Sequence, residues 1–213
     1  MLNNRQVPEP TLIDLPPTAP VEAVALVLHG GRESSHESAE ASQPAARRMR
    51  PFARAIHRRG SGRGLLVSSL IHRYRGWNGD EESPVADARW ALDDLRTRHG
   101  DVPVVLVGHS MGGRTAVHIA GDPAVVGVIA LAPWLTPSDP IEPLIGRRTL
   151  IAHGNLDFVT NPRFSRRFAD RAHAAGADVS YRVIHGDIHA MLLRANAWHR
   201  LAARTTLDFL GLA

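Results

Sequence analysis

The chain has 213 residues and a mass of 23.2 kDa, with 44% apolar and 22% charged residues. That balance predicts a folded domain with its own core and excludes a disordered chain, a coiled coil and a repeat array. It contains no cysteine, which excludes a disulfide scaffold, a thiolate metal centre and a cysteine nucleophile. All 25 basic residues are arginine against 21 acidic ones, so the net charge of +4 persists to high pH. That lifts the pI to about 10.7 without implying a nucleic-acid partner.

Residues 1–21 are polar and proline-rich, with no charged start leading into an apolar run, and read as a segment ahead of the domain. No apolar stretch approaches the roughly 20 residues of a membrane span. A cytoplasmic protein with no membrane partner is therefore expected. A single domain is expected over residues 22–213, built by alternating strand and helix. Val24–Leu28 is a β-rich apolar run that ends at His29-Gly30-Gly31, and a polar loop follows from Arg32 to Gln43.

Pro44 opens a helix with Met49, Phe52, Ala53 and Ile56 on one face, and Gly60 stops it. The arginines between Arg47 and Arg59 then fall on the solvent face, so this basic stretch predicts a solvated helix rather than a nucleic-acid module. Gly64–Ile71 is the next strand. Ser83-Pro84 caps and opens a helix striped with Val85, Ala88, Leu92 and Leu95. Val102–Val107 and Val125–Leu131 are strands on either side of a helix over Met111–Ala120.

Arg148–Ala152 is a fifth strand, and Asn161-Pro162 starts a helix carrying Phe164, Phe168 and Ala172, which Gly176 ends. Val179–Ile184 is a sixth strand. A last helix, from about Ala190, is expected to bury Leu193, Trp198, Leu201 and Ala202, with Trp90 also packed on its own helix. Near-continuous apolar strands separated by amphipathic helices predict an α/β fold, a doubly wound, mostly parallel sheet of about six strands with helices on both faces. Only Ala132–Arg147, with four prolines, leaves room for a flap, so no large cap domain is expected.

The chemistry is concentrated at three strand ends. Gly108-His109-Ser110-Met111-Gly112-Gly113 places G-x-S-x-G between an apolar strand and an apolar helix. A serine is projected there on a strained turn, with the positive end of a helix beneath it. A serine hydroxyl needs a base, and a base needs an orienting acid. Asp157 follows the fifth strand, and His189 follows the sixth. His185 is the alternative base, and Asp139 and Glu142 are alternative acids after the fourth strand. Asp187 reads as a loop-capping carboxylate, and His109 and His153 as structural residues.

These motifs, GHSMGG, HGG after the first strand, GNLDFV and GDIHAM, resemble the α/β-hydrolase superfamily over about residues 22–213. The resemblance implies a serine hydrolase with nucleophile Ser110, acid Asp157 and base His189. Small dienelactone-hydrolase-like and esterase members are similar, but the dienelactone hydrolases use cysteine where this chain has Ser110. The leading hairpin strands of the family are expected to be missing. Backbone N–H groups of Met111 and of Gly31, or else Arg32, would form the oxyanion hole.

The expected reaction is hydrolysis of a small-molecule carboxylic ester through an acyl-enzyme, with no metal or other cofactor. Thioesterase, perhydrolase or haloperoxidase-like activity on the same triad, and a non-catalytic binding protein of this fold, are the alternatives. Trp134 and Leu135 after the fourth strand, and Trp77 after the second, are the candidate walls of a substrate pocket. Arg32, Arg73 and Arg75 read as solvated surface groups.

Overall fold

The computed structural model describes residues 8–213; residues 1–7, the start of the proline-rich segment, lie outside the described residues. Seven strands form one sheet: β1 (Thr11–Leu15), β2 (Ala23–Leu28), β3 (Leu65–Ile71), β4 (Val104–His109), β5 (Val125–Leu131), β6 (Arg148–Gly154) and β7 (Val179–Ile184). Their order across the sheet is β1-β3-β2-β4-β5-β6-β7. All pairings are parallel except β1, which runs antiparallel along β3.

The strand count of about six is therefore corrected to seven, and the leading part of the sheet is not wholly missing. The extra strand lies inside the segment expected to stand ahead of the domain. Asp14 on β1 is tied to the second layer of the fold, accepting a hydrogen bond from Ser68 Oγ at 2.5 Å and an ion pair from Arg98 at 2.8 Å.

Five helices cover the sheet: α1 (Pro44–Gly60), α2 (Ser83–His99), α3 (Met111–Ile119), α4 (Pro162–Ala174) and α5 (Ala195–Phe209). Alternation along β2 shows how the two layers are built. Val24, Leu26 and Leu28 enter the core shared with α2, α3 and α4, whereas Ala23, Ala25 and Val27 enter the core shared with α1 and α5. Phe52 and Ile56 of α1 are fully buried in the second core, each contributing about 1.5–3 kcal/mol. No helix among the described residues is long and apolar enough to cross a membrane.

The chain winds outward from β2 to β3 in one direction, then crosses back to β4 and continues through β5, β6 and β7 in the other. The reversal falls between β2 and β4, so their carboxyl ends face an open crevice, the place where such sheets bind ligands. Two loops close one side of it. The 32–39 segment pairs with 73–78 through Arg32 N–H to Arg75 O (2.7 Å), Trp77 N–H to Arg32 O (2.9 Å) and Gly76 N–H to Ser35 O (3.0 Å). Segment 132–147 carries no helical cap, only a single short turn at Glu142–Leu144.

Helix α5 begins at Ala195 rather than near Ala190, and Leu193 is exposed in the preceding loop instead of buried. The reason is Asp187. Its fully buried carboxylate accepts N–H bonds from Ile188 (2.7 Å), Leu193 (3.2 Å) and Arg194 (2.8 Å), and from the indole of Trp198 (2.8 Å). Residues 188–194 wrap around this acceptor and cannot be helical while they do so.

Replacing Asp187 by alanine leaves four donors without their acceptor. We expect it to cost about 3 kcal/mol or more. Urea unfolding of Asp187→Ala measures this, and a loss under about 1 kcal/mol would contradict the anchoring role.

Candidate active site

Ser110 sits between β4 and α3 with φ 55° and ψ −119°. A non-glycine residue pays for such a conformation unless its surroundings impose it. Here they do: Ser110 N–H donates to Leu131 O at 3.1 Å, and its carbonyl accepts from Trp134 N–H at 3.1 Å and Gly113 N–H at 3.0 Å. Glycine is required at position 112, where a Cβ would collide with the Leu28 and His29 carbonyls of β2 and its loop. The close approach of α3 to β2 depends on that missing side chain.

The three residues singled out after the three strands meet. His189 Nε2 lies 3.1 Å from Ser110 Oγ, and His189 Nδ1 lies 2.8 Å from Asp157 Oδ2. Nδ1–H donates to the carboxylate, which leaves Nε2 free to accept the serine proton. His185 is exposed and takes no part. Asp139 is committed elsewhere, to Arg114 Nε (2.7 Å), His118 Nε2 (2.9 Å) and Thr136 N–H (2.6 Å).

Asp157 accepts five hydrogen bonds. Oδ1 takes Val159 N–H (2.8 Å) and Thr160 N–H (3.0 Å), and Oδ2 takes His189, Thr160 Oγ1–H (2.9 Å) and His153 Nε2–H (3.0 Å). Burial alone would raise its pKa, but the hydrogen bonds from His153, His189 and the Thr160 amide overcome it and hold the carboxyl well below the usual range. His153 is fully buried, and its Nδ1 accepts from Ser165 Oγ at 2.9 Å. Sequence reasoning set His153 aside; the H-x3-D spacing was the signal, since it brings the ring back onto the carboxylate.

His109, also read as structural, donates from Nε2 to the carbonyl of His189 itself at 3.0 Å. Arg48 of α1 donates to the next carbonyl, Ala190, at 2.5 Å. His189 is thus held at its side chain by Asp157, at its own carbonyl by His109 and at the next carbonyl by Arg48. No local sequence pattern marks Arg48, which lies 142 residues from its acceptor.

On the other side of Ser110, the N–H groups of Gly31 and Met111 have no acceptor among the described residues. Gly31 packs against the Met111 side chain, since a Cβ there would lie 2.5 Å from Met111 Sδ. Arg32 N–H is spent on Arg75 O at 2.7 Å, so of the two candidates only Gly31 is free to donate. His29 fixes that peptide: its Nδ1–H donates to Gly30 O at 2.7 Å while its Nε2 accepts from His72 N–H at 3.3 Å. With the Gly30 carbonyl held, the trans geometry of the peptide turns Gly31 N–H the opposite way.

The expected substrate walls are placed differently. Trp77 and Leu135 are each only 3% exposed and belong to the core. Trp134 is half-buried. Trp77 and Trp134 hold the Arg114 guanidinium between them, at 4.0 and 4.8 Å from the ring centres, and Arg114 pairs with Asp139. Cation–π stacking and this buried ion pair turn the two indoles inward. Trp90 departs from expectation in the other direction and is 40% exposed. A cavity of about 650 Å³ lies beside Arg182, Arg200 and Arg204 near β7 and α5, away from Ser110. Among the described residues no cluster of three or more His, Cys, Asp or Glu could hold a metal ion.

A family model described as serine aminopeptidase, S33, matches residues 19–148. No curated protein sequence matches the chain significantly. Similar solved structures include an α/β serine hydrolase homologue from Coxiella burnetii, 16% identical over 94% of this chain and 93% of that one with a TM-score of 0.71. The propionate-bound esterase Est2 of Thermogutta terrifontis is 19% identical over 95% and 90%, with a TM-score of 0.69. An α/β serine hydrolase without lid from Xanthomonas campestris is 16% identical over 92% and 88%, with a TM-score of 0.67. At these identities the likeness is one of fold.

Burial pushes the pKa of both His29 and His109 down to about 3, aided by the neighbouring His72 and His189 respectively. Between about 6.5 and 3 the unfolded chain binds a proton at each that the folded chain refuses. Stability is therefore full above pH 6.5 and falls on acidification, by up to ~1.4 kcal/mol per pH unit for each ring. His109→Gln removes one such group while keeping a donor for the His189 carbonyl. Urea unfolding at pH 7 and 5.5 is expected to show wild type losing about 1 kcal/mol more than the variant; equal losses would contradict it.

Proposed function

Since the chain belongs to the serine aminopeptidase S33 family, within the α/β-hydrolase superfamily, we propose that it is a serine hydrolase of carboxylic esters. The observation that carries this reading is the unbroken hydrogen-bond line from Ser110 through His189 to Asp157, at 3.1 and 2.8 Å. Ser110 Oγ attacks the ester carbonyl as its proton passes to His189 Nε2. Asp157 stabilises the imidazolium and keeps Nδ1 protonated throughout. The oxygen of the tetrahedral intermediate is met by the N–H groups of Gly31 and Met111, whose directions are set before substrate arrives. His189 then protonates the leaving alcohol, and water repeats the sequence on the acyl-enzyme.

Three buried carboxylates bear on whether a peptide with a free amino terminus could bind instead. Recognition of an α-ammonium needs an acceptor with spare capacity. Asp139, Asp157 and Asp187 are each engaged by three or more donors of this chain, so none of the three is available for that task. The reading needs no metal or organic cofactor, since nucleophile, base and oxyanion donors are all supplied by the chain.

Wild type is expected to hydrolyse p-nitrophenyl acetate and to take a single fluorophosphonate label. Ser110→Ala should abolish the label and lower kcat/KM by about 10⁴-fold or more, with Asp157→Asn lowering kcat by a similar order. A label that persists in Ser110→Ala, or ester turnover that survives it, would refute the assignment.

A further inference from the structure

Ten large apolar side chains are exposed among the described residues, and six of them, Leu156, Phe158, Val159, Phe164, Leu192 and Leu193, flank the proposed acid or follow the proposed base. Phe158 is 86% exposed, Val159 and Leu193 64%, and Leu192 59%. Scattered exposed apolar residues are ordinary, but a group gathered on two loops is not. The loops are neighbours, since β6 and β7 pair in parallel and Leu156 N–H donates to Asp187 O at 3.0 Å.

This surface is held rigidly. Val159 N–H donates to Asp157 Oδ1 at 2.8 Å and Leu193 N–H to Asp187 Oδ1 at 3.2 Å, so the two buried carboxylates fix the backbone of the exposed residues. Leu135 and Leu144 of the 132–147 segment are turned into the core. An apolar rim that is ordered in advance costs little further entropy when a ligand settles on it.

The sheet order states which part of a substrate would lie there. The oxyanion donor Gly31 follows β2, on one side of Ser110; Asp157 and His189 follow β6 and β7, on the other. The leaving oxygen must reach His189 Nε2 to be protonated, so its substituent emerges on the β6–β7 side. Leu192 faces a depression against α1, beside Pro44, Arg47 and Pro51; we propose that Phe158, Val159 and Leu193 form the binding site for the hydrocarbon part of the leaving alcohol, making esters of apolar alcohols the substrate class. This rests on the ester-hydrolase reading above, and assigns specificity to residues that touch the substrate without taking part in bond making.

The experiment compares wild type with Phe158→Ser/Leu193→Ser on two series, ethyl to hexyl acetate and ethyl acetate to ethyl hexanoate, by pH-stat. Both replaced side chains are solvent-exposed, and a far-UV circular dichroism spectrum and urea midpoint matching wild type show the variant to be folded. In wild type, kcat/KM is expected to rise about twofold for each methylene added to the alcohol, half the effect in free energy of burying a CH₂ completely. The variant should flatten that rise and leave the acyl series unchanged.

Equal alcohol dependence in the two proteins would overturn the proposal, as would a variant that flattens only the acyl series. A wild-type dimer by sedimentation that the variant dissociates, with both chain-length series unchanged, would assign the rim to a second copy instead. Failure of wild type to cleave any acetate ester would refute the ester reading itself, a result distinct from all of these.

Discussion

The site depends on a single carboxylate with no free capacity. Asp157 Oδ2 accepts from His189, His153 and the Thr160 hydroxyl, and Oδ1 from two successive amides of its own loop. A carboxylate held this way is a poor proton acceptor and a well-fixed anion. That suits a group whose work is to orient an imidazole and stabilise its positive charge rather than to take the proton. The same five bonds fold the loop after β6, so position and electrostatics come from one set of contacts.

Around that anion the fold supplies constraints of different kinds. The reversal of winding between β2 and β4 opens the crevice, and Gly112 lets α3 press against β2 within it. Three buried histidines outside the proposed triad then serve as rigid hydrogen-bonding groups: His29 on the Gly30 carbonyl, His109 on the His189 carbonyl and His153 on Asp157. Because burial keeps His29 and His109 uncharged, each presents one fixed donor through the neutral pH range. The cost is sensitivity of the fold to acid.

Much of this was legible in the residues. The parallel strands are apolar on both faces, so β2, β4, β5 and β6 stand out as continuous runs, and the strand-to-helix turn at Ser110 carries its own glycine pattern. Places after strands offer Asp157 alongside Asp139 and Glu142, and His189 alongside His185, and the family resemblance separates them. Strand β1 was not legible, because five residues between prolines, half exposed on a sheet edge, have neither length nor continuous apolarity. Trp77 and Leu135 stand in the loops that follow strands, which suggests the rim; their side chains turn inward because Arg114 and the core recruit them. The start of α5 is placed too early because a loop-capping carboxylate at Asp187 does not by itself reveal that its donors extend to Trp198, eleven residues on. Distances along the chain of 80 and 142 residues put the His109 and Arg48 contacts beyond any local pattern.

The most direct measurement of the central interaction is the proton NMR spectrum of the resting protein in water. A proton shared between His189 Nδ1 and an ionised Asp157 is strongly deshielded. A resonance far downfield of the amide region is predicted that is lost in both His189→Ala and Asp157→Asn and retained in Ser110→Ala. It is distinct from that of the His153 Nε2–H on the same carboxylate, which His189→Ala leaves in place. A spectrum with no such resonance, or one that survives Asp157→Asn, would contradict the arrangement on which the site rests.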